Sequence, residues 1–179
     1  MTNSSVVVDR AGLWDAEALS DVAAATFPLA CPPEATPADI EIFLDRMLSG
    51  DRFGEYLSDP DRTVLKAVEN DEIVGYAMLV AGRPRDPEVD AQVGAGEVVE
   101  LSKMYVLPGH HGSGVAGALM EAAVETARDT GAHGVWLGVH QGNERAQKFY
   151  AKHGFTRVGT KTNLVGNQVH ADFVFERVL

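Results

Sequence analysis

The chain has 179 residues, of which 45% are hydrophobic, enough to bury a core and to be read as one domain over residues 1–179. Its only cysteine is Cys31, which excludes an intrachain disulfide and a cysteine-built zinc site and fits a reducing, cytoplasmic compartment. A net charge of −11 without a basic patch argues against nucleic acid as a partner, and no apolar run nears the roughly 20 residues of a membrane helix.

In chain order, Val6–Val8 starts a short strand, and Trp14 to Phe27 carries Leu19, Val22, Ala23 and Phe27 at near-helical spacing. A proline-rich loop, Pro28 to Glu34, is expected next and is a candidate substrate lid. Thr36-Pro37 reads as a cap with proline at the first helical position, opening a helix that carries Ile40, Phe43, Leu44, Met47 and Leu48 on one face. Arg62–Val68 and Glu72–Val80 read as a hairpin turned at Glu69-Asn70-Asp71. Gly82 to Gly96, with Pro84 and Pro87, is expected to be a mobile excursion. A strand over Glu97–Val106, a helix over Gly114–Arg128 and a strand over Gly134–Val139 follow. Asn143 then caps a helix that Gly154 ends, and Phe155–Val158 and Asp172–Val178 close the sheet. This alternation predicts an α/β (α+β) fold, a mixed sheet with helices on both faces.

The most informative stretch is Val106 to Leu119, where a strand runs through a glycine-rich turn into a helix. The first turn of a helix leaves N–H groups without partners at the positive end of the macrodipole, so phosphate fits there. Gly112, Gly114 and Gly117 let a pyrophosphate approach the amides closely. Rossmann folds, P-loops and plain turns also use spaced glycines, but here no Lys-Ser or Lys-Thr follows and the segment lies two-thirds along the chain.

His111-Gly112-Ser113-Gly114-Val115-Ala116 resembles the acetyl-CoA signature of the GNAT superfamily of N-acetyltransferases, Gln/Arg-x-x-Gly-x-Gly/Ala, with His in the first place. Asn143 to Phe155 is similar to that superfamily's second motif, Asn-x-x-Ala-x-x-Phe-Tyr-x-x-x-Gly-Phe. From Glu97 to Leu179 the chain most resembles bacterial spermidine/spermine acetyltransferases of the PaiA type. The resemblance implies a single N-acetyltransferase domain with a mostly antiparallel sheet, acetyl-CoA as donor and no metal. It places pantetheine and pyrophosphate on Met104, Tyr105 and Val106, on His111, Gly112, Ser113, Gly114, Val115, Ala116 and Gly117, and on Asn143. An amide near Val106 would then polarise the thioester oxygen.

Tyr150 is the implied general acid for the departing thiolate, against a reading as one of two packed aromatics with Phe149. Glu100 is the candidate base, directly or through water; it could instead bind the amine or pair with Lys103. Asn143 as a plain helix cap and His140 as a packing residue are the simpler alternatives to a CoA contact and a second base. His110 and His111 are adjacent and suggest no metal pair. Nothing near Cys31 would activate it, which favours direct transfer.

Residues 1–95 hold 18 acidic and 7 basic side chains, net −11, and residues 96–179 hold 8 of each, net zero. If the first half builds the acceptor side, a small cationic amine such as spermidine or spermine is favoured, unless the acid is only a solubility coat. Rival acceptors are a protein N-terminus, a lysine or an aminoglycoside. A silent acyl-CoA sensor is the rival outside catalysis, and the resemblance allows a homodimer.

Overall fold

A computed structural model of the protein describes residues 6–31, 33–110, 114–165 and 168–179. His111, Gly112 and Ser113 of the expected phosphate turn lie outside the described residues.

Strand β1 (Val7–Arg10) leads through a 3₁₀ turn at Leu13–Asp15 into α1 (Ala16–Ala30). The helix runs past Pro28, where the sequence suggested a loop, and ends with Cys31 extended. Proline there removes the hydrogen bond to the Ala24 carbonyl, and the helix ends two residues later. Thr36 caps α2 (Pro37–Met47) by accepting from the Asp39 N–H at 3.2 Å. A third helix, α3 (Gly50–Ser58), was not expected, because Gly50 and Gly54 lower its intrinsic propensity. What holds it is burial: Phe53 is 0% and Tyr56 is 4% exposed, and Ser49 accepts from the Arg52 N–H at 3.2 Å.

β2 (Arg62–Glu69) and β3 (Glu72–Ala81) form the expected hairpin. Asn70 and Asp71 take φ of 51° and 64°, the left-handed pair that a tight hairpin turn needs. The supposed mobile excursion is instead organised around α4 (Pro87–Gln92), with Asp86 accepting from the Glu88 N–H at 2.9 Å. Val89 and Val93 seat it on Val98, Trp136 and Val174. Arg83 fastens the segment, donating to Asp90 Oδ1 at 2.7 Å and to the carbonyls of Gly94 and Gly96 at 2.8 and 2.6 Å.

After β4 (Val98–Val106) come α5 (Val115–Asp129), β5 (Gly134–His140) and α6 (Glu144–Lys152). β6 (Thr156–Val165) and β7 (Gln168–Val178) complete the sheet. The last two strands outrun the sequence reading because Thr160, Lys161 and Thr162 look like loop yet pair in register with Phe173, Asp172 and Ala171.

The seven strands lie in the order β1-β2-β3-β4-β5-β7-β6, and only β4 and β5 are parallel. One core lies under α5, where Val115, Leu119 and Ala123 of the predicted stripe are joined by Met120 and Val124. The opposite face packs Leu19, Phe53, Tyr76 and Met78 beneath α1 to α3. Helices cover both faces, as the alternation of elements predicted.

One departure from a regular sheet governs the rest. β4 and β5 pair at only three positions, Val98↔Gly134, Val99↔Val135 and Glu100↔Trp136. Opposite Met78 stands Lys103 and opposite Leu79 stands Leu101, so Ser102 is an extra residue in β4, a bulge that bends the strand. Beyond Glu100 the two strands part, while β5 stays paired with β7 along its full length.

Phe53→Ala should cost about 3–5 kcal/mol, the range for emptying a buried aromatic site. Urea unfolding would read this as a lower midpoint, and a loss under 1 kcal/mol would mean that α3 is not anchored as described.

Candidate active site

The parting of β4 from β5 opens a passage between the two faces of the sheet. Leu107 donates to the Val74 carbonyl at 2.8 Å. By the alternation of an antiparallel ladder, Met104 and Val106 turn their backbone polar groups away from β3, toward the gap.

On one side of the gap lies a cleft of about 510 Å³. Its walls include Met104, Tyr105 and Val106 of β4, Gly114, Ala116 and Gly117 at the start of α5, and Asn143 and Tyr150 around α6. Eight of the twelve described or undescribed donor-site and acid candidates named from the sequence thus meet at one surface. Three of the others, His111, Gly112 and Ser113, are not among the described residues, and Val115 is not among the residues lining this cleft. Val115 is 0% exposed and packs in the core under α5.

Gly114 has φ of 83°, a conformation that a side chain would strain. Ala118 makes the first helical bond back to Gly114 at 3.0 Å, so the N–H groups of Val115, Ala116 and Gly117 precede the ladder. A Cβ on Gly117 would meet nothing within 4 Å. Arg145 and Lys152, cations that the sequence reading did not single out, also line this cleft.

Asn143 caps α6 through Oδ1, which accepts from the Ala146 N–H at 3.1 Å, while its side chain also borders the cleft. Tyr150 is held between Phe149, Phe155 and Phe175, with ring centroids at 5.6, 5.9 and 6.5 Å. Burial pushes its hydroxyl up to about 12, so it stays protonated at neutral pH.

A smaller chamber of about 200 Å³ adjoins the cleft and shares Met104, Tyr105, Asn143 and Tyr150 with it. Lys103, Gly138, His140, His170 and Asp172 also line it. A third chamber, again about 200 Å³, shares Ser102, Lys103, Gly138 and Asp172 and adds Glu100 and Lys161. It leads to a mouth of about 390 Å³ between Arg62, Arg85 and Asp86.

Glu100 therefore does not share a chamber with Tyr150. Burial raises its carboxyl, and Lys161, Lys103 and Arg62 act against that rise. The expected pairing with Lys103 is not a direct ion pair among the described residues. Burial lowers Lys103 to about 8, against the pull of Glu100. His140 Nδ1 accepts from the Gly142 N–H at 3.0 Å, which puts the proton of the neutral ring on Nε2. In that form Nε2 cannot serve as a base. His110 is turned elsewhere, with Nδ1 3.1 Å from Glu69 Oε1.

Sequence reasoning missed His170, Asp172 and Lys161 as site residues. Asp172 appeared only as the start of a strand, and the signal that could have found it was a carboxylate directly before an apolar run, Phe173-Val174-Phe175. No group of three or more metal-ligating side chains occurs among the described residues, and no described helix is long and apolar enough to cross a membrane.

The acetyltransferase (GNAT) family model matches residues 18–155, and the chain belongs to that family. It is 52% identical over 167 residues to an uncharacterised N-acetyltransferase of Mycobacterium tuberculosis, covering 93% of this chain and 99% of that protein. Among solved structures it is similar to the PaiA N-acetyltransferase of Thermoplasma acidophilum in complex with coenzyme A, with TM-score 0.77, 20% identity and coverage of 98% and 99%. It is also similar to Arabidopsis thaliana NAA60 in complex with acetyl-CoA, with TM-score 0.76, 17% identity and coverage of 98% and 99%. The protein is an acetyl-CoA-dependent N-acetyltransferase.

Gly117→Ala separates fold from binding. It should stabilise α5 by about 0.5–1 kcal/mol, the usual gain for replacing a helical glycine, yet weaken acetyl-CoA by at least about tenfold, roughly 1.4 kcal/mol. Thermal melting and calorimetric titration would check the two signs; unchanged affinity would remove Gly117 from the donor site.

Proposed function

We propose that the enzyme transfers acetyl directly from acetyl-CoA to the primary amine of a small acceptor, across the gap between β4 and β5. The observation that carries this reading is the shared wall: Tyr150, Met104 and Asn143 border both the large cleft and the small chamber behind it. A thioester lying along β4 and an amine in the chamber would meet beside Tyr150.

In this reading the backbone of Met104, Tyr105 and Val106 holds pantetheine. His111, Gly112 and Ser113, which lie outside the described residues, and the first turn of α5, from Gly114 through Val115 and Ala116 to Gly117, hold the pyrophosphate. Asn143 adds a contact from its side-chain amide, and the Val106 N–H faces the thioester oxygen. The reaction forms a C–N bond and breaks a C–S bond, so the nitrogen gives up a proton and the sulfur gains one. Tyr150, protonated at neutral pH, donates to the departing sulfur and is refilled from the attacking nitrogen. Glu100 lines the outer chambers and reaches that nitrogen only through a relay such as water.

Chambers of about 200 Å³ favour a small acceptor over a folded protein surface. The case for spermidine or spermine rested on the acid excess of residues 1–95. None of those carboxylates lines the two inner chambers, and only Asp59, Asp61 and Asp86 reach the mouth. Asp15 and Glu69 are instead engaged by Lys66 at 3.0 Å and His110 at 3.1 Å. The polyamine keeps the support of the PaiA likeness, but the acid count no longer argues for it.

Tyr150→Phe should lower kcat by about 100-fold, the lower end for loss of a general acid, with acetyl-CoA affinity unchanged. Release of CoA thiol across a panel of amines measures this. Unchanged kcat would remove Tyr150 from the chemistry, and tight acetyl-CoA binding with no turnover on any amine would overturn transfer itself.

A further inference from the structure

The inner chambers carry polar atoms that the protein leaves unanswered. Asp172 is 5% exposed, and its Oδ1 has no hydrogen-bond partner; His170 Nε2 is buried and unpartnered as well. Both residues line the chamber that Tyr150 borders. Buried polar atoms are nearly always paired, because an unpaired one loses its hydration without return. Two orphans on one wall, beside the proposed reacting centre, mark the place of a donor such as an amine.

The next chamber sets two cations against Asp172 and Glu100. Lys103 and Lys161 both line it, and neither is in an ion pair among the described residues. Lys161 reaches its place because position 138 is glycine: a Cβ there would collide with Lys161 Cε and lie 3.5 Å from Asp172 Oδ2. Glu100 can answer one lysine, and Arg62 at the mouth is already paired with Asp59 at 3.2 Å. With Asp172 committed to an amine, one lysine of this chamber remains without a counter-charge.

We propose that the acceptor is a small amine that also carries a carboxylate, its nitrogen held at Asp172 and His170 and its carboxylate at Lys103 and Lys161. This rests on the transfer reading above and names the substrate class of the same site. A cationic amine with no acid group would satisfy Asp172 but set its remaining charge against two lysines. A neutral amine would leave one lysine unpaired.

The test uses the full-length protein with CoA bound, titrated calorimetrically with straight-chain amino acids from glycine to aminohexanoate, their carboxamides and spermidine. The same panel is run in parallel for CoA release from acetyl-CoA. At one chain length the amino acid should exceed its carboxamide by at least about tenfold in affinity and in kcat/KM, the size of a charge-assisted contact. Lys103→Met and Lys161→Met should each shrink that ratio to roughly threefold or less by weakening the amino acid alone. Asp172→Asn should weaken amino acid and carboxamide equally and leave their ratio intact.

Carboxamides or spermidine binding as tightly as every amino acid, no binding by any member, or a ratio that survives in both lysine variants would each overturn the proposal. So would an Asp172→Asn variant that binds the amines as before. A carboxylate preference in binding without acetylation of any amine would uphold the site and overturn the transfer reading, so the two failures are distinguishable.

Discussion

The early end of pairing between β4 and β5 is the constraint on which the rest of this molecule depends. Had the two strands continued in register beyond Glu100 and Trp136, the sheet would be an unbroken wall. Because they part, backbone groups at Met104 turn toward the gap, and the starts of α5 and α6 converge on that opening. The bulge at Ser102 is the local cause: one extra residue increases the twist of β4 and bends it away from its parallel neighbour. β3 and β7 stay fully paired on the outer sides, so the sheet keeps its continuity while a passage crosses its middle.

That passage also separates the net charge of the chain from the charge around the inner chambers. A sum over residues 1–95 counts carboxylates on every face of four helices and three strands, whereas a ligand responds to the few groups around its own path. Most of the acid is spread over the outer surface, in pairs such as Arg52 with Glu55 at 2.6 Å and Arg83 with Asp90 at 2.7 Å. Along the passage the balance is local, with Glu100 and Asp172 set against Lys103 and Lys161. The donor side differs again: Arg145 and Lys152 join the amides of α5, a setting suited to an anion.

The elements that frame the donor cleft were legible because their signals are short in sequence. The apolar spacing in α5, Gly114 before it and the Asn143 cap each lie within a few residues, and β4 carries Val98, Val99, Leu101, Met104 and Val106 among its nine residues. Helices α3 and α4 were not legible, since glycines or a proline weaken their local signal and tertiary burial of Phe53, Tyr56, Val89 and Val93 supplies what propensity lacks. The wall of the inner chambers was hidden for another reason. Lys161 and Asp172 come from a hairpin whose polar residues resemble a loop, and they meet Lys103 only through the register of β7 on β5. No local pattern encodes a contact across nearly sixty residues or more of chain.

A passage lined with unpaired polar groups works against stability, and its position in the fold shows how the chain tolerates it. Asp172 Oδ1, His170 Nε2 and the buried Lys103 each lose hydration that the folded protein returns only in part, Lys103 through the ring of Tyr56 at 5.7 Å. The compensation lies in the layers on either side. Leu119 and Met120 of α5 seal one face, Phe53 and Met78 seal the other, and all four are fully buried. These side chains bring in apolar burial of about 1.5–3 kcal/mol each, enough to offset several half-satisfied polar atoms at the gap. Filling those positions with apolar side chains would relieve the local cost and remove the same atoms that a ligand must find.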